Sequence, residues 1–225
     1  MAVTAGAWLT QTFASAGSFT TTSTKLEADD YLIVSVTGST SAFTTGTWTI
    51  SDSSSGTWVQ VENQNNTTVG KSWFRTTPGG SANITITITT TVASGLLLIA
   101  TNFSGSSGQY VTPTTNFGTT VTANVATPAL TTPAAVQAGD MYYSIVRGQP
   151  GSGPTWTAGS GWTASATNTF GSSRTQFSQK RLATSSGTVT SNATPSVNMT
   201  NYSTMAIVVK MAITTQPFSG WGIPL

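Results

Sequence analysis

The stretch DYLIVSV, Asp30 to Val36, decides how the chain is read. It is a nearly continuous apolar run of strand length, which predicts a central β-strand covered on both faces. About a hundred residues later the chain repeats the arrangement as GDMYYSIV, Gly139 to Val146, with Asp140 falling on Asp30. Other landmarks follow in the same order. Trp48 falls on Trp156 and Trp58 on Trp162. KSWFRTTPGG (Lys71 to Gly80) meets TQFSQKRLATSSG (Thr175 to Gly187), and GLLLIATNF (Gly95 to Phe103) meets TMAIVVKMAI (Thr204 to Ile213). Five ordered landmarks with a slowly drifting offset are the signature of a duplication whose loops have since changed length.

Working outward from DYLIVSV, each half reads as a string of strands. TWTI and WVQVEN are separated by SDSSSG, a polar turn cluster. KSWFRTT alternates polar and large residues. In ANITITITT the isoleucines at 84, 86 and 88 alternate with threonines, a period of two that predicts one buried face. GLLLIATNF reads as a further buried strand. No segment carries a helical apolar period over a useful length. The expected fold is all-β: two tandem jelly-roll or Greek-key-like β-sandwiches from an internal duplication. The first repeat spans 1–106 and the second 107–213, forming a stiff, extended pair, and an apolar tail occupies 214–225. Trp48, Trp58, Trp73 and Trp162 are expected to fill the cores, because large aromatics dominate cores of this thickness.

Composition agrees. Charged residues make up 6% of the 225, against about 25% in an ordinary globular domain. Hydroxyls replace them, with 47 Thr and 29 Ser, and threonine suits a pleated, half-exposed surface. The net charge is +2. Lys25, Lys71, Arg75, Arg147, Arg174, Lys180, Arg181 and Lys210 are scattered, whereas a nucleic-acid binder needs its cations clustered. No nucleic-acid partner is therefore expected. The chain contains neither Cys nor His, which rules out disulfides and Cys- or His-based catalysis. The opening MAVTAGAWLTQTF resembles no signal peptide, and the longest apolar run, Gly95 to Ala100, is too short to span a bilayer. The expectation is a protein made in a cytoplasm, with no membrane partner.

The repeat resembles virion structural proteins of tailed bacteriophages that carry tandem Thr/Ser/Gly-rich β-sandwiches. The resemblance is carried by Gly139-Asp140-Met141-Tyr142-Tyr143, by Gly161-Trp162, by the strand Phe177 to Arg181, and by the Thr-rich strand Ile84 to Thr90. The first half departs from it with Asp29-Asp30 for Gly-Asp and Gly56-Thr57-Trp58 for Gly-Trp. In the second half Pro195 breaks the alternation, as at an edge strand or bulge. The resemblance implies a virion structural protein and does not fix its station on the particle. The charge-poor, hydroxyl-rich composition independently suits a part assembled in many copies, since few charges mean little self-repulsion; the expected place is the outer surface of a virion, with the major capsid protein or other virion proteins as partners.

Chemistry is sparse. The carboxylates are Glu27, Asp29, Asp30, Asp52, Glu62 and Asp140. Asp30 and Asp140 stand at strand starts and read as turn groups that bond local amides. Glu27 to Asp30 (EADD) lacks EF-hand spacing, so no metal or other cofactor is expected. Serines abound, but nothing is placed to activate them, so no enzyme is expected. Three roles remain: a capsid decoration protein bridging capsid subunits, a carbohydrate-recognising tail or head fibre module, or a bacterial surface adhesion module. For decoration, Phe218, Trp221, Ile223 and Leu225 in the tail are the expected anchors on a partner. For glycan recognition, Arg147 and Trp156 in the loop RGQPGSGPTW are the expected contacts.

Overall fold

The computed structural model describes residues 2–38, 45–65, 69–124, 126–127, 129–132, 136–150, 152–170 and 173–212. The described residues are organised almost entirely as β-strands, and among them no helix is long and apolar enough to cross a membrane. The first half carries β1 (Thr4–Thr20), β2 (Thr24–Leu26), β3 (Tyr31–Gly38), β4 (Trp48–Asp52), β5 (Trp58–Asn65), β6 (Val69–Arg75), β7 (Ala82–Ile84) and β8 (Ile86–Ser104). After Gly105 come β9 (Ser106–Val121), β10 (Leu130–Thr131), β11 (Met141–Pro150), β12 (Trp156–Ala158), β13 (Thr163–Phe170), β14 (Arg174–Leu182), β15 (Thr190–Ser191), β16 (Ala193–Pro195) and β17 (Met199–Met211).

Two large antiparallel sheets dominate. The first has the order β1-β8-β3-β6-β5, with β4 also on β8; the second, read from its other edge, has β9-β17-β11-β14-β13. The small pairs β2-β7, β10-β15 and β12-β16 complete the fold. DYLIVSV becomes β3, between β8 and β6, and its counterpart becomes β11, between β17 and β14. Both strands are buried on both faces, which is why neither shows polar alternation.

The two faces of β3 serve different cores. Leu32, Val34 and Val36 point into a cluster with Phe19, Trp48, Trp73, Ile84, Ile86 and Ile88, internal to the first half. Ile33 points the other way, with Phe74, Ile99 and Phe103, onto Met141, Tyr143, Ile145, Met205, Ile207 and Val209 of the second half. The large sheets therefore stack face to face over a shared core, called the seam below. This corrects the expectation of an extended pair. The second half keeps smaller clusters of its own on its outer face, around Tyr142 with Trp162 and around Val146 with Phe177.

Side chains stitch the seam. Phe103 meets Tyr143 edge-on at 5.5 Å, and Thr101 Oγ1 donates to Tyr143 Oη at 3.1 Å. Asn168 Nδ2 on β13 donates to the carbonyls of Gln11 (2.8 Å) and Leu98 (2.9 Å). Lys180 Nζ donates to the Ala5 carbonyl.

The strand entries behave alike in the two halves. Asp29 has φ of 62° and Gly139 has φ of 96°, so the acidic substitution in the first half still occupies a left-handed turn position. The aspartate that follows ties the strand start to the end of the neighbouring strand. Asp30 accepts from Asn102 Nδ2 at 2.7 Å and from Ser104 Oγ. Asp140 accepts from the amides of Gln137 (2.9 Å) and Met211 (2.8 Å), and from Lys210 Nζ. GLLLIATNF is not a separate strand: it continues β8 from Ile86 and bonds β1 along its length, with register shifts. Pro195 ends β16, which pairs with β12 and whose Ala193 and Pro195 carbonyls also accept from the Thr127 and Asn124 amides.

Candidate functional site

Polar chemistry gathers at three places: a tip of the first half, the seam, and the end of the seam.

At the tip, the turn SDSSSG wraps around Asp52. Its Oδ1 accepts from the Ser54 amide (2.8 Å), Ser54 Oγ (2.7 Å) and the Gly56 amide (3.1 Å). Its Oδ2 accepts from Trp58 Nε1 and Arg75 Nε, both at 2.9 Å. A Cβ on Gly56 would stand 2.2 Å from Arg75 Nε, so only glycine lets the guanidinium lie there. Desolvation alone would raise the Asp52 pKa. The hydrogen bonds from Arg75, Ser54 and Gly56 and the charge of Arg75 outweigh it and bring the pKa to about 2, from an ordinary value of 3.8. A carboxylate with a depressed folded pKa stabilises fully above its unfolded value and loses that contribution as pH falls through the folded one. Acid unfolding should therefore carry an Asp52 component between about pH 4 and pH 2. Urea midpoints measured down that range are expected to fall less steeply for Asp52→Asn than for wild type. Parallel slopes would show that Asp52 is not held ionised by Arg75.

In the seam, Glu62 and Arg147 form an ion pair with both side chains fully buried. Arg147 Nη1 donates to Oε1 at 2.9 Å, and Nη2 lies 2.8 Å from Oε2. Ser72 Oγ donates to Glu62 Oε2 at 2.7 Å and stands 2.9 Å from Ser35 Oγ. Gly70 passes beneath the guanidinium, where a Cβ would come within 2.7 Å. Arg147 Nε, both amide atoms of Gln176 and Ser203 Oγ are buried there without a partner. Gln176 and Ser203 stand opposite Arg147 on the two flanking strands.

This placement corrects the glycan-loop expectation. Arg147 sits inside β11 and joins the two sheets, so it cannot reach a surface ligand. Trp156 is half-buried; its ring stacks on Phe177 at 5.3 Å and its Nε1 donates to Thr175 Oγ1 at 3.1 Å. Trp48, Trp73 and Trp162 are buried, and Trp162 Nε1 donates to the Thr190 carbonyl at 2.8 Å. Trp58 differs from expectation in being half-buried; it packs against the rim of the first-half core while its Nε1 donates to the buried Asp52 carboxylate. Glu27 pairs with Lys25 at 2.8 Å while Asp30 turns toward β8, so EADD does not converge. Among the described residues no three of His, Cys, Asp and Glu come together as a metal site.

At the end of the seam lies a cleft that sequence reading passed over. An apolar pocket of about 150 Å³ is lined by Thr37, Leu96, Leu97, Phe170, Ser173 and Arg174. A more open depression of mixed character beside it is lined by Gln149, Pro150, Asn198 and Thr200, and Ser173 and Arg174 belong to both. Phe170 is 45% exposed. Arg174 stands opposite it at the β13–β14 turn; its Nε donates to the Gly38 carbonyl and its Nη1 to the Ser173 carbonyl, both at 2.7 Å. The one hint in the sequence is an aromatic and an arginine bracketing a Gly-Ser-Ser turn, with no acid nearby. The tail anchors Phe218, Trp221, Ile223 and Leu225 lie outside the described residues. No family model matches the chain, and no curated protein is similar to it.

Proposed function

We propose that the protein is a non-enzymatic structural component of a virion, a capsid decoration protein that bridges capsid subunits in many copies on the outer surface. In this reading the halves are duplicates of one Greek-key or jelly-roll-like unit, a view supported by their matching strand orders. Non-enzymatic use is supported by the way the carboxylates are engaged. Asp52, Glu62 and Asp140 each bind a cation within the fold, Asp30 binds Asn102 and Ser104, and Glu27 pairs with Lys25.

The observation that carries the docking reading is how little the body offers a partner. Among the described residues only Val59, Phe170 and Leu182 are large apolar side chains left exposed. Attachment by apolar anchors then falls to Phe218, Trp221, Ile223 and Leu225. Each contact can be weak, because many copies on one lattice add their effects. Deleting Pro217 to Leu225 should leave the melting temperature unchanged and abolish binding to purified heads, read by co-sedimentation. Binding at unchanged affinity would overturn tail docking.

A second reading, a carbohydrate-recognising tail or head fibre module, is favoured by the cleft at the end of the seam. Immunogold labelling of whole particles separates the two. Label spread over the head supports decoration, and label confined to tail or fibre tips supports recognition.

A further inference from the structure

We propose that the cleft at the end of the seam binds a sugar that carries a carboxylate, held by Arg174 with Phe170 as its stacking platform. This inference deepens the carbohydrate reading and is independent of capsid decoration.

The argument starts from charge. Asp52, Glu62 and Asp140 are paired with Arg75, Arg147 and Lys210. Arg174 has no such partner. Two of its nitrogens are engaged by carbonyls, and among the described residues Nη2 has no hydrogen-bond partner and no carboxylate within ion-pair reach. Burial lowers the proton affinity of its guanidinium from the ordinary value, yet arginine stays a cation at neutral pH. A partly desolvated cation whose planar fork is already held at two corners is preorganised for a carboxylate, and little further entropy is lost on binding.

The surroundings select the rest of the ligand. On one side of Arg174 the wall is apolar, made of Leu96, Leu97 and the half-exposed ring of Phe170. On the other the wall is mixed, with Pro150 set among the hydrogen-bonding groups of Gln149, Asn198 and Thr200. Asn198 accepts from the Ala123 amide through its Oδ1 at 2.7 Å, which leaves its side-chain NH2 as the donor it can offer. A pyranose ring has one apolar face and a rim of hydroxyls, so it matches a site that is apolar on one wall and hydrogen-bonding on the other. A simple anion would leave the apolar wall unused, and an apolar ligand would leave Arg174 unpaired. Hexuronates and sialic acids share the required chemistry.

The bland alternative is that Arg174 only clamps the Gly38 and Ser173 carbonyls to close the sheet ends. Titration of the full chain with a galacturonate oligosaccharide and its neutral methyl ester distinguishes the two, followed by amide resonances and calorimetry. A parallel arm uses sialyllactose against lactose and identifies which acidic sugar is preferred. The acid should shift the resonances of Phe170, Ser173 and Arg174 and bind at least about tenfold more tightly than its neutral counterpart, as expected for a hydrogen-bonded charge. Arg174→Gln should abolish that preference. Phe170→Ser, at an exposed site where folding is not in question, should weaken acid and neutral forms alike. Equal binding of acid and neutral forms overturns the carboxylate assignment while leaving carbohydrate recognition standing. Shifts confined to the Trp156 region overturn the cleft. No binding of any of the four sugars overturns both this inference and the carbohydrate reading.

Discussion

Replacing Arg147 with methionine will cost the fold about 3–5 kcal/mol, the usual consequence of stranding one member of a fully buried ion pair. Glu62 would remain buried inside the seam, with Ser72 donating to it and only the through-space charge of Lys71 left among the described cations to offset its own. The Coulomb attraction lost is not the main quantity, since an intact buried pair repays its own desolvation poorly. What is measured is the penalty of an uncompensated charge. A second variant makes this explicit. With Glu62→Leu added to Arg147→Met the charge is gone, and most of the loss should be recovered. Denaturant midpoints of the two single variants and the double variant give the coupling directly. If Arg147→Met alone unfolds like wild type, the seam is wet and the pair is not buried.

That pair also shows where sequence reading stops. The run DYLIVSV could be read as a strand covered on both faces, because a strand exposed on one side must alternate and this one does not. Of the turn aspartates only Asp140 keeps the local bond that sequence suggests, to the Gln137 amide three residues away; Asp30 instead takes its donors from Asn102 and Ser104 on β8, partners that only the fold brings near. What covers the second face of β3 was not legible. Ile33 looks the same whether it meets a small sheet of its own half or the large sheet of the other. Arg147 was misread because RGQPGSGP has the composition of a loop, yet the strand runs to Pro150 and its arginine turns inward to a glutamate 85 residues away. The cleft was invisible for the same cause. Leu96 of β8 and Arg174 of β14 become neighbours only once the sheets are stacked.

Stacking leads to the largest effect of all. Separated at Gly105, neither half should fold as a monomer. The first half alone would expose Ile33, Phe74, Ile99 and Phe103; the second would expose Tyr143, Ile145, Met205 and Ile207. Soluble monomers rarely tolerate contiguous apolar faces of this kind. Each half could in principle cover its face with a second copy of itself, since the two sheets share a strand order. The seam charges oppose this. Two first halves would bring Glu62 toward Glu62, and two second halves Arg147 toward Arg147; only the mixed pair buries opposite charges. Residues 1–104 and 105–225 expressed separately should therefore aggregate or melt without a cooperative transition, while together they should form a 1:1 complex with one transition near that of the intact chain. Size-exclusion chromatography with light scattering, followed by thermal melts, reads both outcomes. A cooperative monomer from either half would show that the seam is dispensable. A stable homodimer of one half would show that apolar area, and not the buried ion pair, chooses the partner.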